Sequence, residues 1–470
     1  MGAELRGDEG ERDADGRIGL FQEEHADVEK QQARHPGRQR QHGGVLTSWA
    51  RAAIIVAMDE AVRQSDRRIL LADADAFYVS VARLLDPEGA GRAPCLIVGG
   101  SADRRGVVTS ASYEARRFGV HSAMPMARAL RLCPKAMVVP VPWEACAAKS
   151  RHVREVLGRF TPVVEQASSD EFYLDLSGTE GLYGGEPLAT TATRIRAAVL
   201  AATALAVTVG GGTTRLVAKL ATNVAKPGTG RPATGILIVP AGTENQFLRQ
   251  FTLAELPLVG PKLQERLRRF GLRTVDDVLR HDRATLVAWL GEREAGWLYD
   301  RVRGVDDGDV VPDREPKSIS RDETFAVDVG DEAELERRLL ELADRASADL
   351  REEGLLARTV TVKIRDADFT TRQAGRTPPE PVCSDRAVYA LARELLHRLR
   401  RARRVPARLL GVALSQFVRA EGEAPQLSLL DVPRRADAES ERDRVLARVL
   451  DEVRERFGPD ALARGRTSAG

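Results

Sequence analysis

The first apolar run that reads as a buried element is Ile69-Leu70-Leu71-Ala72, which breaks on Asp73-Ala74-Asp75. A short continuous apolar run of this kind suits a strand covered on both faces. Cys95 to Val98, closing on Gly99-Gly100, and Val107 to Ala111 read the same way. Tyr113 to Phe118 has helical character, with Gly119 as its stop. Val163 to Leu176 predicts a strand pair interrupted by Ser168-Ser169-Asp170-Glu171. Thr190 to Ala204 predicts a helix, and Val207 with Val209 a strand ending at Gly210-Gly211-Gly212. Arg215 to Ala225 predicts a helix stopped by Pro227-Gly228. Strands and helices alternating in this way point to an α/β sandwich on a mixed sheet.

After residue 243 the pattern turns helical, in short units punctuated by glycine. Pro312 to Lys317 is a charged linker. A second α+β unit runs from Ser318 to Phe417, its helix Glu332 to Glu353 lying between strands at Thr324–Val329 and Thr359–Arg365. A polar tail follows from Arg419. Within it Val445, Leu446, Val449, Leu450 and Val453 predict an amphipathic helix, Ser440 to Phe457, with no assigned role. At the other end, residues 1–57 are acidic and Gly-rich, then rich in Gln, Arg and His. This predicts a disordered extension, or a mis-assigned start ahead of Met58.

The length of 470 residues suggests about three domains. Lys and Arg number 71 against 69 Asp and Glu, a net charge of +2, so only the distribution of charge can argue for a nucleic-acid partner. No apolar run approaches the roughly 18 residues of a membrane span, and no secretion signal is evident, which makes the expected location cytoplasmic and off the membrane. The four cysteines, Cys95, Cys133, Cys146 and Cys383, form no CxxC pair, so zinc ribbons and dithiol chemistry are unsupported.

The candidate chemistry lies in carboxylates at strand ends. Asp73 closes one strand, and Asp170 and Glu171 sit where two others meet. Alone, Asp-x-Asp is most often a solvated turn; these carboxylates are informative because they interrupt apolar strands, where an unpaired charge is costly. Three of them at one sheet edge repel one another unless cations fill the cluster. Mg²⁺ is the expected ion where phosphates are present, and two such ions can activate a hydroxyl and stabilise a leaving pyrophosphate. Tyr113 and Arg116 lie one helical turn apart and share a face, and Lys226 ends a helix. Singly, Arg116 reads as a surface ion pair and Lys226 as a helix-end charge. Of Phe77 and Tyr78, one ring packs inward and the other can lie beneath a sugar.

Leu256-Pro-Leu-Val-Gly-Pro-Lys262 leads into a helix carrying Leu263, Leu267 and Phe270, ended by Gly271, with Thr274 and Asp277 as a capping box for the next. This is a helix–hairpin–helix pattern, in which Gly260 lets backbone amides approach a phosphate. Arg398 to Arg404, with Arg408, is densely basic, and Gln426-Leu-Ser-Leu-Leu430 is an apolar pentad in a polar tail.

Together these residues resemble the Y-family DNA polymerases, nearest the bacterial DNA polymerase IV group. The resemblance rests on Leu71-Ala-Asp-Ala-Asp-Ala-Phe-Tyr78, Arg105 to Val120, Ser122 to Met126, Ser168-Ser-Asp-Glu-Phe-Tyr-Leu-Asp175, Ala218 to Ala221 and Ala225-Lys-Pro-Gly228. Leu256 to Gly260, Leu409 to Val412 and Gln426 to Leu430 complete it, all in the family's order. It implies an α+β multidomain, right-hand polymerase. The ferredoxin-like palm would be 67–76 with 141–242, small fingers 77–140, a helical thumb with the helix–hairpin–helix 243–308, a linker 309–317, an α+β little finger 318–418 and a tail 419–470.

Position by position, the resemblance implies that Asp73, Asp170 and Glu171 hold two Mg²⁺ ions, with the Ala74 backbone carbonyl completing one shell. Tyr78 would be the sugar steric gate, and Ser110, Tyr113, Arg116 and Lys226 the triphosphate contacts. Gly260, Lys262, Arg400, Arg401, Arg404 and Arg408 would bind DNA. Gln426, Leu427, Leu429 and Leu430 would bind the replication sliding clamp. The implied activity is template-directed DNA synthesis by a monomer, of low fidelity and in translesion synthesis, with primer–template DNA and dNTPs as partners. Ala74 stands where the family has a bulkier residue, Arg215 where Lys or Asn is common, and Gly228-Thr229-Gly230 where Asn-Gly is usual. A non-catalytic accessory protein and a cyclase-like nucleotidyltransferase are the rival readings. Retention of all three carboxylates opposes the first, and the DNA-facing segments oppose the second.

Overall fold

The computed structural model describes residues 67–227, 233–419, 439–458 and 461–462. The extension 1–57, Gly228 to Gly230 and the pentad 426–430 lie outside the described residues. The chain divides into two units, 1–60 and 61–470, and all described residues belong to the second.

Strand β1 (Ile69–Ala74) is buried at every position, as its unbroken apolar run requires. It is the middle strand of a five-stranded sheet, ordered β5 (Val164–Gln166), β6 (Glu171–Asp175), β1, β7 (Val207–Gly212), β8 (Ile236–Ile238). β1 runs antiparallel to both β6 and β7, and β7 runs parallel to β8. On one face Leu70, Ala72 and Ala74 pack with Val153 and Leu157 of helix Trp143–Leu157 and with Ile195 and Val199 of helix Leu188–Thr203. On the other, Ile69 and Leu71 meet Tyr173 and Ala218, the latter from helix Arg215–Ala225.

The glycines after Val209 do not end β7, as expected from sequence; they are its second half. A Cβ at Gly210 would sit 2.1 Å from the Thr222 nitrogen, and one at Gly212 2.5 Å from Val217 Cγ1. The glycines therefore let helix Arg215–Ala225 lie directly on the strand. Thr214 starts that helix by accepting from Val217 N–H at 3.2 Å.

A three-stranded sheet is ordered β3 (Val108–Ala111), β2 (Leu96–Gly99), β4 (Met137–Val139). The helix expected after Tyr113 is a single turn, Tyr113–Arg116, started by Ser112, whose Oγ accepts from Ala115 N–H. The helices from Glu244–Leu248 to Glu292–Arg301 close around Leu253, Leu267, Leu272, Val278, Leu286 and Leu298. Among them, Pro261–Arg269 ends before Gly271, which is left-handed at φ 75°, and Thr274 with Asp277 forms the capping box before Val275–Leu279.

The connection that follows is bound down at Glu165 on β5. This buried carboxylate accepts from Arg215, from Val311 N–H at 2.9 Å and from Arg314, whose Nε lies 3.2 Å away. Burial alone raises the Glu165 pKa, but the bonds from Arg215 and Val311 outweigh it and hold the carboxyl below its usual range. Arg215 also donates to Asp309 O at 2.8 Å and lies 4.1 Å over the Tyr173 ring.

A four-stranded antiparallel sheet is ordered β11 (Thr371–Arg376), β10 (Leu355–Asp366), β12 (Ala407–Arg419), β9 (Ser318–Val329). Helices Glu332–Glu352 and Asp385–Ala402 bury Leu339, Leu342, Val388 and Leu395 against Val360, Val362, Leu410 and Val412. The tail helix forms over Glu441–Phe457, with Ser440 and Asp443 as its capping box. It docks through its charged face rather than its apolar stripe. Arg351 donates to Asp451 at 2.6 and 2.8 Å, Arg454 to Asp344 at 2.8 Å, and Glu439 accepts from Cys383 N–H at 2.9 Å. Only Ala447 of the helix is buried, while Val445, Leu446 and Val449 are exposed, because the receiving surface offers charges.

All four cysteines are free. Among the described residues no helix is long and apolar enough to cross a membrane.

Candidate active site

Strand pairing gathers the carboxylates. Asp73 stands opposite Glu171 in the β1–β6 register, and Ala74 N–H donates to the Asp170 carbonyl at 2.9 Å. Opposed residues of antiparallel strands share a face, with Cβ atoms about 4.5–5.5 Å apart. That face lies under helix Arg215–Ala225, whose lysines meet the charge. Lys219 Nζ is 2.6 Å from Glu171 Oε1 and 3.4 Å from Asp73 Oδ2; Lys226 Nζ is 2.6 Å from Asp73 Oδ1. Asp73 is 1% exposed, so without a cation its charge would be severely destabilising. Burial works to lower the Lys219 pKa, but the bond to Glu171 and the charge of Asp73 leave it raised. Asp170 instead accepts from the Ser168 hydroxyl at 2.7 Å.

Among the described residues no three carboxylate, imidazole or thiol groups close around one point as a metal cage would; the oxygens of Asp73 and Glu171 face ammonium groups. The donor set still fits a divalent hard cation. Asp73 and Glu171 offer oxygen only, with no soft ligand beside them and a demand for positive charge that lysines now meet.

A second group adjoins the first. Ser110 is buried on β3, opposite Val98. Tyr113 and Arg116 share a face as their spacing predicts, the guanidinium 5.3 Å from the ring centroid. Arg116 Nε donates to Ala111 O at 2.9 Å, and its side chain is exposed. Burial, then the negative charge of Asp75, pushes the Tyr113 phenol up to about 12. Burial also raises Asp75, against the Thr208 hydroxyl, which donates to it at 2.8 Å.

Ala76 is left-handed at φ 44°, and this turn sends Phe77 into the core and leaves Tyr78 half-buried. The Tyr78 hydroxyl shares a 2.9 Å hydrogen bond with Ser169 Oγ, and its ring edge meets Phe77 at 5.2 Å and Trp143 at 6.1 Å. Sequence reasoning singled out neither Lys219 nor Asp75. Lys219 is seven residues before Lys226, two turns along the same helix face, and that spacing was the available signal.

The basic residues divide. Gly260 starts helix Pro261–Arg269 with φ −76° and open space where a Cβ would stand, and Lys262 is exposed. Arg401 and Arg404 are exposed, and Arg408 lies 4.5 Å over the Phe369 ring. Arg400 corrects the expectation of a DNA contact. It is 4% exposed, with Nε 2.9 Å from Glu332 and further bonds to the Val405 and Gly330 carbonyls. On the inner face of its helix, it ties that helix to the β9 connection. The clamp-like residues Gln426, Leu427, Leu429 and Leu430 lie outside the described residues.

The family model described as the impB/mucB/samB family matches residues 72–223, and the model of that family's C-terminal domain matches 316–429. A DNA polymerase IV of Dehalococcoides mccartyi (strain CBDB1) is 35% identical over 403 residues, covering 86% of this chain and 98% of the relative. A DNA polymerase IV of Desulfatibacillum aliphaticivorans is 37% identical over 395 residues, covering 84% and 95%. Among solved structures, a chimeric Y-family DNA polymerase superimposes with a TM-score of 0.67 at 24% identity, over 75% of this chain and 99% of that one.

Proposed function

The chain belongs to the Y-family of DNA polymerases, and from that premise we propose that it extends a primer 3′-hydroxyl by two-metal nucleotidyl transfer centred on Asp73, Asp170 and Glu171. Membership makes it a DNA-directed DNA polymerase of translesion synthesis and DNA repair, binding primer–template DNA and dNTPs and dependent on a divalent metal. The finer reading is that the metal is Mg²⁺, two ions per site, and that synthesis is of low fidelity.

The observation that carries it is the register that sets Asp73 against Glu171 and bonds Ala74 to Asp170. When bound, the metal pair supplies an activated 3′-hydroxyl and a neutralised leaving pyrophosphate. Asp73, Asp170, Glu171 and the Ala74 carbonyl would hold it. Ser110, Tyr113, Arg116 and Lys226 would bind the triphosphate, and Tyr78 would exclude a 2′-hydroxyl. Gly260, Lys262, Arg401, Arg404 and Arg408 would face duplex phosphates. This reading includes the palm, fingers, thumb and little-finger boundaries, a monomeric state, a cytoplasmic location and clamp binding through 426–430.

Primer extension with Mg²⁺ and dNTPs, beside a folded Asp170→Asn/Glu171→Gln variant, tests it. Extension by the wild type alone is expected. A folded wild type that binds primer–template without extending it would overturn the reading.

A further inference from the structure

Both oxygens of Asp73 are occupied, and by different cations. Oδ2 faces Lys219 at 3.4 Å, and Oδ1 faces Lys226 at 2.6 Å. A divalent ion that uses Asp73 competes with these ammonium groups for the charge of its oxygens.

The two lysines are not equivalent. Lys219 lies inside its helix and bridges two carboxylates, so its release would leave both short of a counter-charge. Lys226 is the C-cap of the same helix, with an extended backbone at φ −66° and ψ 152°, and its side chain is 28% exposed. It has the freer stem and the single carboxylate contact. It is also the lysine that the polymerase reading assigns to the triphosphate, and phosphate oxygens compete for an ammonium group as well as a carboxylate does.

We propose that Lys226 is a displaceable counter-ion. Without nucleotide it closes Asp73 Oδ1, and a triphosphate that draws it away opens that oxygen to a divalent cation. Nucleotide and metal binding are then coupled through one side chain. Coupling is reciprocal, so whatever removes Lys226 from Asp73 tightens the metal in the absence of nucleotide. The inference rests on the polymerase reading, which supplies the triphosphate.

The test uses Mn²⁺ alone on the full chain, with free ion counted by electron paramagnetic resonance. Lys226→Gln is expected to bind Mn²⁺ about tenfold more tightly than wild type, within the range usual for two coupled sites. Arg116→Gln removes the same charge from the neighbouring group without touching Asp73, and stays within about twofold of wild type. Lys226→Arg keeps the charge on Asp73 and binds no more tightly than wild type, which also guards against a Gln variant that fails to fold. Equal affinity of Lys226→Gln and wild type, an equal rise in Arg116→Gln, or a rise in Lys226→Arg overturns the proposal. Primer extension by the wild-type protein of the same series separates the two readings. Extension without the affinity change overturns the counter-ion alone; the affinity change without extension overturns the polymerase reading.

Discussion

Replacing Glu165 with alanine removes the anion that joins β5 to the segment leading into β9. Arg215 is left with its side chain 16% exposed and without its carboxylate. Removing one member of a buried ion pair costs about 3–5 kcal/mol. Arg215 keeps the Asp309 carbonyl and the Tyr173 ring, which places the expected loss at the low end, about 3 kcal/mol. In urea, with a slope of about 3 kcal/mol/M, the midpoint falls by about 1 M. Removing Arg215 as well, in Glu165→Ala/Arg215→Met, leaves no buried charge orphaned, since Arg314 is solvent-exposed, so the double variant loses at least about 1 kcal/mol less than the sum of the singles. The sign of the pH dependence follows from the depressed Glu165 pKa. Its contribution is complete above the unfolded value of 4.5 and is lost as pH falls through the lower folded value, so wild type and Glu165→Ala converge in acid. A Glu165→Ala unfolding free energy within about 0.5 kcal/mol of wild type, the scale of a surface change, would refute the argument.

Tyr78→Ala opens the space beside Ser169 and Trp143 and is expected to admit ribonucleotides; unchanged sugar selectivity in single-nucleotide incorporation removes the gate assignment. Arg401→Ala and Arg404→Ala should each lower the salt slope of DNA binding by about one, whereas Arg400→Ala lowers the melting temperature and leaves the slope unchanged. A changed slope for Arg400→Ala would place that residue back at the DNA. Asp451→Ala leaves the Arg351 side chain, 8% exposed, with Asp385 and the Cys383 carbonyl. It should release the tail helix, seen as faster amide exchange over 441–457 with the four-stranded sheet still protected; unaltered exchange would show that the other ion pairs suffice.

Much of this was legible because the informative residues are local. An apolar run ending in Asp73 states both a buried strand and a charge that needs a partner, and Thr274 with Asp277 states a helix start. Even the packing of Phe77 inward and Tyr78 half outward follows from adjacent positions. What the sequence did not disclose depends on distance. That Arg400 turns inward to Glu332, 68 residues away, is set by the facing helix, and a run of seven residues rich in arginine looks equally solvated throughout. The tail helix has an apolar stripe, yet its charged face docks, because Arg351 and Asp344 lie about a hundred positions upstream. The occupation of Asp73 by two lysines likewise requires the helix to be seen resting on the sheet.

That resting distance has a consequence for inheritance. Gly210 and Gly212 hold no charge, donate no side-chain bond and touch no carboxylate, yet they set how near two ammonium groups come to Asp73. A mutational path that enlarges either residue would push the helix outward and lengthen both lysine contacts at once, with every charged residue of the site still in place. Drift in such a lineage would reset the charge balance at Asp73 through spacing alone, while every residue that carries the chemistry still reads as intact.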